Sequence, residues 1–287
     1  MMRKLKFLLP AVLAAAMALP ASAAQGSVYL GQADYANWQL LGSATWTSDQ
    51  ANGYHYQSIA LTLPGQSDTA GAAYAPGPVM LDFNLPFEFA FPFFIASGAV
   101  LRGDGMAFVL ATQPLLGGAG SGLGYEGQDG VAFAIDTFHF DGEPVSPSLQ
   151  ILADGNVGTP LAYTETGLGD SIRDPALQWI GRLSYLPSGN GDETGTLTGS
   201  ITRPDLGTFS VIAADVAMSA FGVAVLDPQT LAVIGRQVYY GFSAANGLAD
   251  DGHFVTSAVP VPEPQTSAMM LAGMLLMGII AWRRQRI

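Results

Sequence analysis

The chain has 287 residues, a net charge of -12 and no cysteine. The acidic balance excludes a nucleic-acid-binding protein, which needs a basic surface, and the missing cysteine excludes disulfides, thiol catalysis and cysteine-ligated zinc. Glycine is abundant, with 35 residues, while charged residues make up only 12% of the chain, so the composition favours strands joined by tight turns over helices.

The first 23 residues have the pattern of a secretory signal peptide. A basic start at 1–6 is followed by an apolar stretch over 7–20, and Ala21-Ser22-Ala23 supplies the small residues that signal peptidase needs. An uncut N-terminal anchor is the alternative, but the apolar stretch is short for a membrane span and ends in a cleavage pattern. The sequence therefore predicts export, with residues 1–23 as a signal peptide.

Residues 25–258 predict a single all-β domain. Short apolar or alternating runs recur there between glycine, proline and aspartate breaks, and no stretch shows a sustained helical period. Such runs with turn signals between them are typical of a β-sandwich. The runs that carry this prediction are 58–63, 87–91, 106–110, 131–135, 195–201 and 221–226.

The tail, residues 259–287, has three consecutive parts. Val261-Pro262-Glu263-Pro264 predicts an extended, accessible segment, because proline cannot continue a strand. The uncharged apolar run over 267–282 predicts one transmembrane helix. The cluster of Arg283, Arg284 and Arg286 holds the C-terminus in the cytoplasm by the positive-inside rule. A plain membrane anchor is the alternative, since it needs only the span and its basic flank.

The order of these parts resembles the PEP-CTERM sorting signal of Gram-negative bacteria. The resemblance implies recognition by an exosortase, a membrane transpeptidase, with cleavage near Pro262-Glu263-Pro264. The family is associated with bacteria that make exopolysaccharide and biofilm matrix. The implied route is export, anchoring in the inner membrane by the tail helix, and then sorting to the cell surface or extracellular matrix.

Several blocks of sequence in the middle of the chain follow one another in a fixed order. They are 37–44, 61–63, 71–74, 103–110, 116–125, 131–138 and 239–247, with His253 after them. In this order they resemble an L-type (legume-type) lectin domain over nearly the whole mature chain, from about 29 to 257. The resemblance implies a concanavalin-like jelly-roll sandwich that binds carbohydrate.

The resemblance also implies which residues hold the sugar. Asp104 matches the family's aspartate on an Asp-Gly loop, where a carboxylate accepts hydrogen bonds from two adjacent sugar hydroxyls. Gly120 and Gly122 match the glycine-rich loop, whose backbone approaches the ligand closely. Asn246 and Gly247 lie where the last specificity loop falls. The structural alternatives are a turn aspartate that caps its own loop and plain surface turns for the glycines and for 246–248.

The metal motif of that family is only partly present. Asp136 and the carbonyl of Phe138 match the family's calcium ligands, and Asp141 and Glu143 could add further oxygens. The positions expected to be glutamate, asparagine and histidine are instead Ala134, Phe140 and Gln150. A transition-metal site is therefore lost, while calcium remains a possible cofactor with a marginal number of oxygen ligands.

The same strand argues against an enzyme. Some proteins with a concanavalin-like sandwich are glucanases. A retaining glycosidase, however, needs two carboxylates about 5 Å apart. The strand offers Ala134, Asp136 and Phe138 and hence a single carboxylate. The sequence thus predicts an exported lectin-like protein that binds a glycan, such as exopolysaccharide. The alternative is a structural or adhesive matrix protein whose sugar and metal sites have degenerated.

Overall fold

The computed structural model describes residues 26–51, 54–98, 101–140, 142–257 and 261–262. The predicted signal peptide and the tail beyond Pro262, with its predicted transmembrane helix, lie outside the described residues. Within them, no helix has both the length and the apolar character needed to cross a bilayer.

The regular secondary structure of the described residues is almost entirely β-strand. In chain order these are β1 (Ser27–Tyr29), β2 (Gln39–Gly42), β3 (Thr45–Ala51), β4 (Tyr54–Thr62), β5 (Thr69–Tyr74), β6 (Val79–Leu81), β7 (Phe87–Ser97), β8 (Gly105–Ala111), β9 (Gly130–Asp136), β10 (Ser148–Ala153), β11 (Ala162–Glu165), β12 (Trp179–Pro187), β13 (Thr194–Arg203), β14 (Gly207–Ala217), β15 (Val223–Leu226), β16 (Val233–Asn246), β17 (Asp251–Thr256) and β18 (Val261–Pro262). Short 3-10 helices occupy Leu30–Gln32, Tyr35–Asn37, Gly120–Gly122, Gly169–Arg173 and Met218–Ala220.

The strands build two stacked sheets. The back sheet has the order β14-β13-β12-β7-β17-β4-β18, with β1 paired to β7 and β3 to β4. The front sheet has the order β11-β10-β9-β8-β16-β5-β2, with β6 and β15 paired to β16. All pairs are antiparallel except β1 with β7. The prediction of an all-β sandwich is confirmed, and each predicted apolar run overlaps a strand.

Aromatic rings from both sheets fill the space between them. Phe91 of the back sheet stacks on Phe108 of the front sheet, with ring centroids 5.2 Å apart, and meets Phe242 edge-on at 5.0 Å. Burial alternates strictly along β13, whose inward residues are buried and whose outward residues are half-buried. Strand alternation therefore directs the apolar residues into one core, and each aromatic pair adds about 0.5–1.5 kcal/mol beyond area burial.

A second apolar layer lies on the outer face of the front sheet. Small side chains, among them Ala72, Ala107 and Ala134, form a floor there, and Leu123 and Tyr125 of the glycine-rich loop pack on it. The hydroxyl of Tyr125 donates to the carbonyl of Gly130 at 2.7 Å, which fixes the loop in place. The floor thus holds the predicted glycine loop against the sheet.

The tail enters the back sheet, contrary to expectation. Val261 and Pro262 form β18, in register with His55 and Tyr54 of β4. The prediction that proline keeps this segment out of a strand is wrong for Pro262. β18 is the last strand of the sheet, and an edge position tolerates proline because an outward N–H is not needed there.

Gly199 of β13 provides a test of the core. A Cβ at this position would overlap the ring of Phe133 from the opposite sheet. We therefore expect Gly199→Ala to lower the free energy of unfolding by about 1–3 kcal/mol through overpacking, although alanine normally stabilises a strand. Urea denaturation measures the change. Gly77→Ala is the matched control, because a Cβ there has nothing within 4 Å; equal stability of the two variants would contradict this packing.

Candidate functional site

Three loops meet where the central strands of the front sheet end. Asp104 directly precedes β8, Gly120 lies in the glycine-rich loop, and Gly247 directly follows β16. The Gly247 N–H donates to Oδ2 of Asp104. A Cβ at Gly120 would lie 3.9 Å from Oδ1 of Asp104 and 3.7 Å from the Cα of Gly247. The structure therefore brings together three of the five residues that sequence reasoning proposed for the sugar.

A small polar depression adjoins this meeting point. Three carboxyl groups line it, from Asp104, Asp136 and Glu143, together with the amide of Gln150. The other lining residues are Ser121, Leu123, Phe138 and Val157. No lysine or arginine is among them, so the depression offers acceptors to a ligand that carries hydrogen-bond donors.

Asp104 is buried, with 8% of the residue exposed. Burial raises the pKa of Asp104 to about 6, the Gly247 N–H partly offsets the rise, and the nearby charges of Glu143 and Asp251 add to it. The group is therefore an ionised acceptor above about pH 6 and becomes a donor below it.

The two predicted glycines face different neighbours. Gly120 has a positive φ of 61° and faces Asp104. Gly122 is turned away, since a Cβ there would lie 3.1 Å from Oε2 of Glu126. The backbone N–H groups of Gly120 and Ser121 donate to no acceptor among the described residues. They are thus two of the loop's backbone donors without a partner among the described residues, and both residues lie beside Asp104.

Asn246 has an internal role. Its side chain is fully buried. Nδ2 donates to the carbonyls of Gln66, at 3.0 Å, and of Asp251, at 2.9 Å, while Oδ1 accepts from the Asp251 N–H at 3.1 Å. The amide therefore shapes the loop that presents Gly247 and has no free donor for a ligand.

Asp251 is a residue that sequence reasoning missed. Its carboxylate is fully buried and accepts hydrogen bonds from the N–H groups of Gly98, at 3.1 Å, and Gly103, at 2.9 Å. It also forms an ion pair with Arg173, whose Nη1 lies 3.1 Å away. Asp251 thereby fixes the residue before Asp104 and, through its backbone bonds with Asn246, the residue before Gly247. An aspartate beside another aspartate in a glycine-rich turn gives no sequence signal of this role.

The predicted calcium ligands are already hydrogen-bonded to the protein. Oδ1 of Asp136 accepts from the Phe138 N–H at 3.1 Å and from Oγ of Ser146 at 3.0 Å, and Oδ2 accepts from Nε2 of Gln150 at 2.7 Å. Oγ of Ser146 also lies 2.9 Å from the Phe138 carbonyl. Burial raises the pKa of Asp136 to about 8, because desolvation outweighs the hydrogen bond from Ser146.

These residues do not fit a cation. Asp141, the remaining predicted ligand, lies outside the described residues. Within the described ranges, no three acidic or histidine side chains form a group that could hold a metal ion. The donors around Asp136 direct hydrogen atoms at the oxygens that a cation would need.

Solved structures identify the architecture. The basic winged bean lectin, solved with Tn-antigen, is 21% identical to this chain. The match covers 76% of this chain and 89% of the lectin chain, with a TM-score of 0.59. The sandwich has the legume-lectin fold. Lectin I-B4 from Griffonia simplicifolia, in a metal-free form, gives 22% identity, 77% and 91% coverage and a TM-score of 0.57. The exoplasmic/lumenal domain of VIP36, bound to Ca²⁺ and Man3GlcNAc, is 21% identical to this chain. The match covers 76% of this chain and 81% of the VIP36 domain, with a TM-score of 0.51.

The tail matches a sequence family that is distinct from the lectins. Residues 260–285 match the PEP-CTERM protein-sorting motif. No curated protein matches the chain in sequence. Both resemblances predicted from the sequence are thus confirmed: a legume-lectin fold in the body and a PEP-CTERM motif in the tail.

The buried ion pair under the loops can be tested by removing its cation. Arg173→Met leaves the Asp251 carboxylate buried without its charge partner, so we expect the free energy of unfolding to fall by about 3–5 kcal/mol. Arg182→Met is the control, because Arg182 lies 3.8 Å from Glu88 in a solvent-exposed pair and should cost no more than about 1 kcal/mol. Urea denaturation of both variants checks this, and similar losses would contradict the assigned role of Arg173.

Proposed function

We propose that this chain is an exported, non-enzymatic glycan-binding protein that a PEP-CTERM tail directs to the cell envelope or to an exopolysaccharide matrix. The observation that carries the proposal is the convergence of Asp104, Gly120 and Gly247 at one end of a legume-lectin sandwich. A saccharide presents adjacent hydroxyls that both donate and accept. An ionised carboxylate next to free backbone N–H groups is complementary to such a pair of hydroxyls.

Each part of the site has its own task. Asp104 accepts from two hydroxyls, with charge-assisted bonds that are stronger than neutral ones. The N–H groups of Gly120 and Ser121 donate to a sugar oxygen. Gly247 keeps the carboxylate oriented through its N–H and leaves room beside it, because a Cβ at Gly247 would lie only 3.1 Å from Oδ2 of Asp104. The solved winged bean and VIP36 domains carry glycan ligands on the same fold, which supports this assignment.

The two ends of the chain complete the proposal. A signal peptide over 1–23 would send the protein across the inner membrane, and the span over 267–282 would hold it there. The matched PEP-CTERM motif supports processing by an exosortase, with release to the surface or matrix. Calcium has no role at Asp136 in this proposal, since the described residues there do not fit a cation.

A structural or adhesive role in the matrix is the second candidate. Phe140, where the lectin resemblance expects asparagine, is 62% exposed, and Leu248 beside Gly247 is fully exposed. Exposed apolar side chains in the segments that carry Phe138 and Gly247 favour contact with a protein surface. A glycan array that includes purified exopolysaccharide separates the candidates: the first requires binding, and absence of binding to every glycan and polymer contradicts it.

Asp104 is the residue whose loss tests the glycan site. Asp104→Asn keeps the shape but removes the charge, so we expect the affinity for the array's best ligand to fall roughly 10- to 100-fold, as for a charged hydrogen bond worth about 1.5–3 kcal/mol. Titration calorimetry measures the change. Asp227→Asn is the matched control, because Asp227 lies in the turn that leads into β16, at the opposite end of that strand from Gly247. Equal affinity of the two variants would place the ligand elsewhere.

Binding should also depend on pH. Because burial raises the pKa of Asp104 to about 6, the ionised acceptor is present above that pH and is lost as the pH falls through it. We therefore expect the wild-type affinity to decrease as the pH falls from about 7 to 5. The Asp104→Asn variant should show a flat profile over the same range. A wild-type profile that stays flat down to pH 5 would rule out an ionised Asp104 as the acceptor.

A further inference from the structure

Asp136 is held by a set of donors that the lectin resemblance does not include. Nε2 of Gln150 lies 2.7 Å from Oδ2 of Asp136 and 3.0 Å from Oγ of Ser148. One NH₂ group carries two hydrogens, so it can serve both acceptors. With Ser146 on Oδ1, three side chains surround the carboxyl group. We call Ser146, Ser148 and Gln150 the Asp136 clamp.

Strand register explains why the clamp can form. Ala134 of β9 lies opposite Gln150 of β10, and Asp136 lies opposite Ser148. All four side chains project from the outer face of the front sheet, because cross-strand partners share a face. The short side chain of Ala134 leaves the space through which the Gln150 amide reaches Asp136. A glutamate at 134 would fill that space and bring a second carboxylate to it.

The clamp is connected to the loop that carries Asp104. The N–H of Thr137, the residue after Asp136, donates to the Asp104 carbonyl at 2.9 Å, and its hydroxyl donates to the carbonyl of Gly103. Arg102 then bridges the two segments: Nε donates to the Thr137 carbonyl at 2.7 Å and Nη2 to the Ser146 carbonyl at 3.2 Å. These hydrogen bonds tie residues 102–104 to Thr137 and Ser146.

We propose that the Asp136 clamp takes the place of a bound cation, so that Gln150, Ser146 and Ser148 hold Asp136 and the segment beside Asp104 and the site forms without metal. Calcium binds oxygens at 2.3–2.6 Å and needs six or more of them. At Asp136 the oxygens that would coordinate it accept amide and hydroxyl hydrogens instead. This inference goes beyond the glycan proposal and does not depend on it, because its tests follow stability and loop structure.

The wild-type protein gives the first test and needs no variant. We expect the melting temperature of the purified chain to be the same in EDTA and in millimolar calcium or manganese, and elemental analysis to find no bound ion in stoichiometric amount. A melting temperature that rises with either cation beyond the scatter of repeats would overturn the proposal. So would a stoichiometric ion in the purified protein.

Gln150→Leu gives the second test. Loss of the amide leaves Asp136 short of a buried donor, so we expect the melting temperature to fall by about 5 °C. We also expect faster hydrogen exchange in peptides covering 102–107, 136–140 and 246–248. Gln178→Leu is the matched control, because Nε2 of Gln178 also donates to a hydroxyl, that of Thr256 at 2.9 Å, but on the back sheet. Its exchange near Asp104 should match the wild type.

The exchange pattern decides whether the clamp positions the loop. Faster exchange around Asp104 in Gln150→Leu, but not in Gln178→Leu, supports the proposal, while unchanged exchange there overturns it. Ser146→Ala is the alternative variant if Gln150→Leu does not fold. It removes the hydroxyl donor to Oδ1 of Asp136 and changes the side-chain volume less. Ser146→Ala should accelerate hydrogen exchange in the same three peptides, and added calcium should not slow the exchange in this variant.

Discussion

The candidate site depends on one buried ion pair. Asp251 places a carboxylate in the protein interior, and Arg173 supplies its charge partner. The same carboxylate accepts the N–H of Gly103, and the backbone of Asp251 bonds with Asn246. The residues that precede Asp104 and Gly247 are thus both fixed by Asp251, the first through its side chain and the second through its backbone. Burying a charge is costly unless it is paired and hydrogen-bonded, so a displaced loop would leave Asp251 unsatisfied. The ion pair therefore specifies where the loops lie.

The sheet supplies the second constraint. Ala245, Gly105, Asp136 and Ser148 lie opposite one another on neighbouring strands. This row marks the edge at which β16 and β9 end and β8 and β10 begin. Antiparallel strands alternate in direction, so segments that are distant in sequence leave the sheet at the same edge. Asp104, Gly247 and the Asp136 clamp are together because of this register.

The sequence predicted those parts of the molecule that depend on local pattern. The short apolar runs 58–63 and 131–135, bounded by turn residues, indicated strands, and nearly every residue of both runs is buried. Asp104 and Gly120 could be proposed as neighbours because their blocks occur in the order of a known domain. Such reasoning depends on residue type and order, both of which are visible in a single chain.

The remaining features depend on contacts between distant residues. Arg173 and Asp251 are separated by 78 positions, and neither stands in a motif. Asn246 is polar and glycine-flanked, like many ligand-binding residues, yet its amide is used inside the protein. Gln150 was noted only as a missing histidine, because a donor to Asp136 is recognisable only once β9 and β10 are in register. The strand position of Pro262 likewise depends on β4, which precedes it by some 200 residues.

The alanine floor beneath the glycine-rich loop has a consequence for the thermodynamics of recognition. Leu123 and Tyr125 pack on that floor, and several loop N–H groups bond within the loop. Five of the ten residues over 116–125 are glycine, so an unpacked loop of this composition would have high conformational entropy. Here that entropy is already lost during folding. The acceptor and donors would already be in position before a ligand binds. Binding would therefore cost little additional conformational entropy of the protein.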